Sequence, residues 1–463
     1  MFSPERTGAS LESAAMTRIF GHFVALEMAA LWLLEFIPCL FVLYVLLIPT
    51  GSGWSSAATL QHAAGLAFAV TFTWGVIGLY QPEICLQTNR LLLSTATGAI
   101  LAFPALLAAA YVAGIDTGSL LGSSAARPLQ FIAAWIALLF ATRIVFRLAL
   151  RSGVFARPVL VLGSRADAAR TRAAIDQVRA GFFRLVAIVS PDNPAPLAPL
   201  ELGRHRIWAV VVTEEARGLL PQDLLMRGKS AGLHVFSDVE FREQQLRRID
   251  LDHLAADWML FAPGLTRGPL EQAIRRAADI ALSLAMLIVT APLMALAALA
   301  IRLESPGPVL YRQERAGLHG SGFTLLKFRS MRIDAEAAGP AWAALRDPRA
   351  TRIGGFLRRS RIDELPQLLN VLRGEMSFVG PRPERPHFVD QLATAIPFYR
   401  DRTALKPGIT GWAQVNYPYG ASVEDARQKL SYDLYYVKRR SLFLDLLILI
   451  ATVRVILFQE GSR

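Results

Sequence analysis

The residues best suited to chemistry lie between Arg358 and Arg385. Two adjacent carboxylates, Asp363 and Glu364, stand within this stretch, and arginines flank them on both sides. Neighbouring residues of a helix point about 100° apart, so the two carboxylates can address different atoms of one bound diphosphate. One can attack while the other holds a metal ion. The sequence therefore indicates a site for phosphate chemistry.

A short helix is expected to begin near Asp363. Pro366 is tolerated only in a first turn, and Gly374 is placed to end the helix. Four leucines have the spacing of one buried helical face, at positions 365, 368, 369 and 372. This helix would direct free backbone N–H groups and the positive end of its dipole towards an anion.

Asp363 and Glu364 also suit a purely structural role as helix-capping residues. The surrounding cations argue for more than capping, because so many arginines are poor material for a folded core without an anion to bind. They are Arg358, Arg359 and Arg361 before the pair, and Arg382 and Arg385 after it.

Six short motifs follow one another in the C-terminal part of the chain: Ser305–Pro308, Lys327–Met331, Asp363–Gln367, Gly380–Pro383, Lys406–Trp412 and Tyr432–Val437. In content and order they resemble the bacterial sugar transferase family, the polyprenyl-phosphate phosphoglycosyl transferases that begin exopolysaccharide and O-antigen assembly. The resemblance covers about 273–458. The layout of the whole chain is similar to the long form of the family, and Arg361-Ile362 resembles its exosortase-associated branch.

The resemblance implies an undecaprenyl-phosphate sugar phosphotransferase of the EC 2.7.8 class. Such an enzyme moves a hexose 1-phosphate from a UDP-sugar to undecaprenyl phosphate and releases UMP. Asp363 would attack the β-phosphorus and form an aspartyl-phosphosugar intermediate, while Glu364 and the donor phosphates would hold Mg²⁺. Phosphate- or substrate-binding roles are implied for six cations: Lys327, Arg329, Arg358, Arg361, Arg382 and Arg385.

Partners follow from the same resemblance. They are the UDP-sugar donor, undecaprenyl phosphate, membrane lipid and downstream glycosyltransferases, and a homo-oligomer is left open. The expected location is the bacterial inner membrane, with the catalytic domain on the cytoplasmic face.

Composition indicates a membrane protein with soluble parts. Of 463 residues, 53% are hydrophobic, and the mean hydropathy is +0.37. We expect a four-helix transmembrane bundle over 1–152, a degenerate Rossmann-like α/β domain over 153–265 and a mainly α-helical catalytic domain over 266–463. Cys39 and Cys85 offer no disulfide framework and no metal spacing.

Four apolar segments, near 25–49, 59–80, 91–114 and 128–150, are each long enough to span a membrane. A cluster of arginines marks the exit of the fourth segment: Arg143, Arg147, Arg151 and Arg157. By the positive-inside rule both ends of the bundle are then cytoplasmic. The alternative is a buried helical core of a soluble protein.

The α/β pattern comprises a strand at Val159–Gly163, a helix at Ala166–Val178 and a strand at Ile207–Val212. Gly163 is followed by Ser-Arg-Ala, where a dinucleotide fingerprint requires further glycines. We therefore expect a domain that binds a regulator, a partner or nothing.

The segment 280–301 is apolar, with Pro292 near its middle. Its length suits a membrane span, yet a span would place the Asp-Glu site outside, away from a nucleotide-activated donor. The family resemblance implies instead a re-entrant helix that breaks at Pro292. A kinked transmembrane helix is the alternative, since proline is tolerated in spanning helices.

The C-terminal stretch 430–458 mixes aromatic, basic and aliphatic residues. Asp445 and Arg454 interrupt its apolar part, which argues against a span and for a helix lying in the membrane interface. An ordinary core helix of the catalytic domain fits the same apolar spacing.

Other classes of protein fit less well. The net charge of +12 comes without aromatic residues interleaved for nucleic-acid stacking, so lipid and nucleotide phosphates explain it better. The seven histidines show no metal spacing. Two alternatives stay open: a non-enzymatic membrane scaffold, and a glycosyltransferase that releases UDP.

Overall fold

The computed structural model describes residues 17–19, 22–24, 26–47, 56–77, 79–80, 88–115, 126–178, 182–190, 207–217, 226, 230, 233–266, 268–335, 347–418, 420 and 422–458. The chain forms two compact units, Met1–Phe241 and Arg242–Arg463. The division falls within helix α6 (Asp238–Leu246) and not at residue 265. The reason is that Ile249, Leu251 and Trp258 are buried in the core of the second unit.

In the described part of the first unit, a short hairpin of β1 (Thr17–Ile19) and β2 (His22–Val24) precedes four long helices: α1 (Leu26–Leu47), α2 (Ser56–Ile77), α3 (Thr88–Val112) and α4 (Ala126–Arg151). α1 packs on α2, α2 on α3, α3 on α4 and α4 on α1. Trp74 of α2 meets Trp135 of α4 edge to face, with 6.2 Å between ring centroids. Large apolar side chains face outwards, including Ile37, Phe41, Phe68 and Ile144.

A buried ion pair joins α1 to α4. Arg143 Nη2 lies 3.2 Å from Glu35 Oε1, and both side chains are fully buried. The hydroxyl of Thr142 donates to the same carboxylate at 3.3 Å, and Arg143 Nη1 donates to the Leu79 carbonyl at 2.5 Å. Arg143 thus lies inside the helices, whereas the sequence suggested a charge at their exit.

The α/β part of the first unit is a four-stranded parallel sheet in the order β4-β3-β5-β6. Its elements are β3 (Arg157–Leu162), α5 (Arg165–Val178), β4 (Phe183–Val189), β5 (Ala209–Val212) and β6 (His234–Ser237). β3 and β5 are nearly fully buried, as their continuous apolar runs require. The predicted parallel α/β pattern is confirmed, and β4 and β6 complete it.

Gly163, at the carboxyl end of β3, serves packing within the sheet. A Cβ atom at this position would lie 2.3 Å from Oγ1 and 2.4 Å from Cγ2 of Thr213. The glycine therefore makes room for a side chain that follows β5. In a dinucleotide fingerprint, this close approach is reserved for a pyrophosphate.

The second unit contains seven helices in its described part: α7 (Pro269–Glu304), α8 (Arg352–Arg359), α9 (Gln367–Arg373), α10 (Pro386–Ala395), α11 (Trp412–Asn416), α12 (Val423–Arg439) and α13 (Leu442–Phe458). β7 (Leu310–Ala316) and β8 (Gly322–Phe328) form an antiparallel hairpin, and β9 (Ser377–Val379) pairs in parallel with β10 (Gly408–Thr410). The main apolar core includes Leu368, Val371, Leu434 and Tyr436, and α8 packs in a second, smaller cluster through Leu357.

Helix α7 is continuous from Pro269 to Glu304, so the break that we expected at Pro292 is not present, although this proline lies inside the helix. Polar side chains of its first turns contact other elements of the second unit. Arg276 donates to the carbonyls of Val371 and Leu372, each at 2.6 Å, and so completes the C-terminus of α9. Asp279 accepts from the Phe378 backbone N–H at 2.9 Å, at β9.

The last turns of α7 contact the same unit again. Ala297 and Ile301 are buried against Phe328 and Leu357. Glu304 accepts from the backbone N–H of Ile353 at 3.0 Å. The middle of the helix is exposed and apolar: Ile288 and Val289 have 75% and 78% of their surface accessible.

Three described helices are long and apolar enough to cross a membrane: Met28–Val45, Ala133–Arg151 and Pro269–Glu304. Helix α13 buries Leu444 and Ile448 in the core and exposes Leu446, Val453 and Ile456. One face of α13 therefore packs against the core, and the opposite face exposes apolar side chains.

Candidate active site

Asp363 and Glu364 lie in a single 3-10 turn, Ile362–Glu364, and the helix that we expected at Asp363 begins at Gln367. Pro366 is the N-cap of this helix. Gly374 ends the helix at φ 83°, as predicted. The carboxylates therefore stand ahead of a helix of only seven residues, so its dipole is a minor influence on them.

Arg361 starts this turn in the left-handed conformation, with φ 60° and ψ 11°. A residue with a Cβ atom is strained there by about 1–3 kcal/mol. Its backbone carbonyl accepts from the Glu364 N–H at 3.2 Å, and its guanidinium Nη1 lies 3.9 Å from Glu364 Oε1. The strained residue thus closes the turn and adds a cation beside it.

Glu364 is the most strongly contacted carboxylate of the site. Its Oε1 accepts from Lys327 Nζ at 3.0 Å and from Arg382 Nη2 at 2.8 Å. Burial alone would raise the pKa of Glu364, but Lys327, Arg382 and Arg361 together hold it well below the usual range. Glu364 is therefore ionised at neutral pH.

Asp363 has a contrasting environment. Only 7% of its surface is exposed, and no residue in the described part of the chain donates a hydrogen bond to its carboxylate. Burial, assisted by the charge of Glu364, raises the pKa of Asp363 to about 6. A carboxylate without hydrogen bonds keeps its lone pairs available, which suits a nucleophile.

The two carboxylates are thus adjacent in sequence but differ in chemistry. Pairs of titratable groups whose pKa values are driven apart mark assigned roles in active sites. Here one carboxylate is fixed by cations and the other is bare and desolvated. The arrangement can combine a nucleophile with an anchoring group and several phosphate-binding cations.

Lys327 reaches Glu364 from the hairpin. It lies in β8 opposite Tyr311 of β7, and its neighbours Leu326 and Phe328 point into the apolar interior. The period of two in a strand therefore sends Lys327 to the other face. Burial lowers the pKa of the Lys327 ammonium, and Glu364 opposes that shift.

The remaining predicted cations lie in different places. Arg329 is buried, and its guanidinium donates to the carbonyls of Ser305 at 2.8 Å and Pro306 at 3.0 Å. It holds the loop after α7. Arg358 lies in the last turn of α8. Arg385 precedes α10 with its guanidinium 5.9 Å from the Phe388 ring centroid.

The structure therefore brings together Asp363, Glu364, Lys327, Arg361 and Arg382. In the described residues Arg329, Arg358 and Arg385 make no contact with Glu364. Sequence reasoning assigned no role to Arg402, which is buried and donates to the Arg382 carbonyl at 3.1 Å. Asp433, its ionic partner at 2.8 Å, belongs to one of the six motifs. A charge among the apolar residues of that motif was the available signal.

The described residues contain no cluster of three or more His, Cys, Asp or Glu side chains that could hold a metal ion alone. Glu364 nevertheless has a suitable oxygen. All three of its cationic contacts are to Oε1, and in the described part of the chain nothing donates to Oε2. A Mg²⁺ ion that arrives with substrate phosphates requires only one or two protein carboxylates, so the site fits such an ion.

Residues 270–459 match the model of the family described as bacterial sugar transferase. The chain is 42% identical over 265 residues to a UDP-N-acetylgalactosamine-undecaprenyl-phosphate N-acetylgalactosaminephosphotransferase of Aeromonas hydrophila, an alignment that covers 57% of this chain and 62% of the relative.

Two shorter relatives are covered more fully. A UDP-glucose:undecaprenyl-phosphate glucose-1-phosphate transferase of Caulobacter vibrioides is 45% identical over 201 residues, which cover 42% of this chain and 75% of the relative. An exopolysaccharide production protein of Rhizobium leguminosarum bv. phaseoli is 44% identical over 193 residues, which cover 40% of this chain and 95% of the relative. The resemblance carried by the six motifs is confirmed, and the chain belongs to the bacterial sugar transferase family.

Proposed function

We propose that this protein is an undecaprenyl-phosphate sugar phosphotransferase that starts the assembly of an exopolysaccharide or O-antigen. The observation that carries the proposal is the pairing of a bare, buried Asp363 with a cation-bound Glu364. The names of the relatives support the substrates, a UDP-sugar and undecaprenyl phosphate. A role in exopolysaccharide production agrees with the Rhizobium relative.

The proposed reaction has two steps at one phosphorus atom. The Asp363 carboxylate attacks the β-phosphorus of the UDP-sugar, the bond from that phosphorus to the bridging oxygen breaks, and UMP leaves. The phosphate oxygen of undecaprenyl phosphate then attacks the same phosphorus, and the Asp363 carboxylate is released. Because one carboxylate serves both halves, a difficult transfer is divided into two easier ones.

Cations make this attack feasible. A carboxylate and a diphosphate repel each other, and Lys327 and Arg382 offset that repulsion from fixed positions beside Glu364. Arg382 can grip two phosphate oxygens with its planar guanidinium. When bound through Glu364 Oε2, Mg²⁺ would neutralise further charge on the donor phosphates.

The catalytic unit is proposed to sit on the cytoplasmic side of the bacterial inner membrane, with α7 as a re-entrant helix. Asp279 and Ala297 both contact the second unit, and about 27 Å of helix separates them at 1.5 Å per residue. A spanning helix would place these contacts on opposite sides of a hydrocarbon layer about 30 Å thick. One compact unit that holds both ends favours entry and exit on one side.

The other membrane contacts are proposed on the same physical grounds. α1 to α4 expose rows of large apolar side chains, which are rare on soluble proteins, and we infer that all four helices cross the membrane. The apolar outer face of α13 would then lie in the interface.

The topology of α7 can be tested with single cysteines. Leu270 and Leu303 are exposed near the two ends of the helix, and each would be changed to Cys after Cys39 and Cys85 are replaced by Ala. A membrane-impermeant maleimide should label both sites in inside-out vesicles and neither in intact spheroplasts. Labelling of the two sites from opposite sides would show a spanning helix and overturn the re-entrant arrangement.

The reaction class can be tested by the nucleotide that is released. Purified protein in detergent would be incubated with undecaprenyl phosphate, Mg²⁺ and a panel of UDP-sugars headed by UDP-glucose and UDP-N-acetylgalactosamine. We expect one donor to yield UMP. Release of more than one UMP per chain should require the lipid acceptor. Release of UDP would identify a plain glycosyltransferase, and no nucleotide release from any donor would favour the scaffold alternative.

A further inference from the structure

The turn that carries Arg382 is fixed through its backbone. Four successive carbonyls accept hydrogen bonds from four different donors. Gly408 N–H donates to Pro381, Arg402 to Arg382, Arg315 to Pro383 and Ala316 N–H to Glu384, at 2.9, 3.1, 3.1 and 2.9 Å. Such complete use of carbonyls in a turn leaves its path little freedom.

Within this turn Arg382 lies between two prolines, Pro381 and Pro383. Pro381 and Pro383 have φ fixed by their rings, and the residue before a proline is restricted to extended conformations. The carbonyl of Arg382 is then held by Arg402, while its guanidinium donates to Glu364 at 2.8 Å. The direction of this side chain therefore depends on the bond that Arg402 supplies.

Arg402 is itself held on three sides. Only 6% of its surface is exposed, and 2% of that of Asp433. Its Nη2 donates to Asp433 Oδ2 at 2.8 Å, and its Nη1 donates to the Tyr399 hydroxyl at 2.8 Å. A planar guanidinium that meets a carboxylate, a hydroxyl and a carbonyl is locked in one orientation.

We propose that Arg402 and Asp433 form a positioning pair that aims Arg382 at the phosphates of the substrate. The pair touches no reacting atom and acts only through the Arg382 backbone. This inference rests on the proposed function for the identity of the ligand. It differs from a plain stability role, because buried ion pairs are often no more stabilising than an apolar pair of similar volume.

The test uses UDP as the probe and calorimetry as the readout, so that it does not depend on turnover. In the double variant Arg402→Met/Asp433→Leu we expect the Kd for UDP with Mg²⁺ to rise about tenfold, with one UDP still bound per folded chain. A merely structural role would lower the number of sites per chain and leave Kd unchanged. That result would overturn the proposal.

A double-mutant cycle decides whether the pair acts through Arg382. With Arg382 already changed to Ala, the Arg402→Met/Asp433→Leu change should raise Kd by less than about twofold, because coupled residues are not additive. If the Arg402→Met/Asp433→Leu change raises Kd for UDP by the same factor with Arg382 present and with Arg382→Ala, the proposal is contradicted. If the double variant does not fold, Asp433→Asn, which retains the shape of the pair, is measured by the same cycle.

The chain offers a matched control. Arg400 and Asp390 form an ion pair at 2.9 Å in the same region, with 67% and 65% of their side chains exposed. Their replacement by alanines should leave Kd for UDP unchanged. If the wild-type protein binds UDP but releases no UMP with any donor, the proposed function fails while the cycle still tests the positioning pair.

Discussion

Replacement of Asp363 by asparagine should reduce the release of UMP by at least about a thousandfold, because loss of a covalent nucleophile removes the main route of the reaction. The change preserves size and removes only the charge and nucleophilicity of the side chain. Asp363 accepts no hydrogen bond from the described residues, so few native contacts are lost. The measurement is UMP release with the donor identified from the panel.

The covalent step has a direct signature. Wild-type protein incubated with a donor radiolabelled in the sugar, without lipid acceptor, should retain up to one label per chain and lose it when undecaprenyl phosphate is added. Asp363→Asn should retain none. Asp390→Asn, a change of the same kind at an exposed carboxylate, is the control and should behave as wild type. Equal labelling of Asp363→Asn would falsify the assignment of Asp363 as nucleophile.

The Glu364→Gln variant should lose activity by about a hundredfold to a thousandfold, because Lys327 and Arg382, both partly buried, lose the charge of their shared anion. It should also require a higher Mg²⁺ concentration for half-maximal rate. Titration of activity with Mg²⁺ measures both effects. A variant with wild-type Mg²⁺ dependence would exclude Glu364 as the metal-holding residue.

The same variant should shift the pH dependence of kcat/KM. Asp363 must be ionised to attack, and its pKa of about 6 predicts that the wild-type rate rises as the pH increases through that value. The charge of Glu364 contributes to this raised pKa, so its removal should move the rise to lower pH. The apparent values belong to the coupled pair. An unmoved profile would show that another group controls the rise.

The carboxylate pair and its nearest cations could be predicted from the sequence because they lie in short, ordered motifs. Asp363, Glu364, Lys327 and Arg382 meet as those motifs suggested. The direction of an arginine could not be predicted in the same way. Arg329 is two residues from Lys327, yet it turns to the carbonyls after α7, where a buried helix end needs donors.

Helix boundaries were predicted less accurately than helix existence. Apolar spacing located the helix near Leu365, but the structure buries Leu368, Asn370 and Val371 and starts the helix at Gln367. The 3-10 turn ahead of it depends on the left-handed Arg361, and nothing in the residue type of an arginine predicts that conformation. The strands β4 and β6 were missed because they lie at the edges of the sheet and are partly exposed, so they lack the continuous buried apolar runs of β3 and β5.

Helix α7 has a consequence for anyone who wishes to study this catalytic unit without lipid. Arg276 donates to the last carbonyls of α9, and Asp279 accepts from the backbone of β9. Helix α7 therefore also stabilises the elements around the active site. Cutting the chain after this helix would leave those backbone groups without partners. A water-soluble form would have to keep 269–279 and exchange only outward-facing side chains such as Ile288 and Val289.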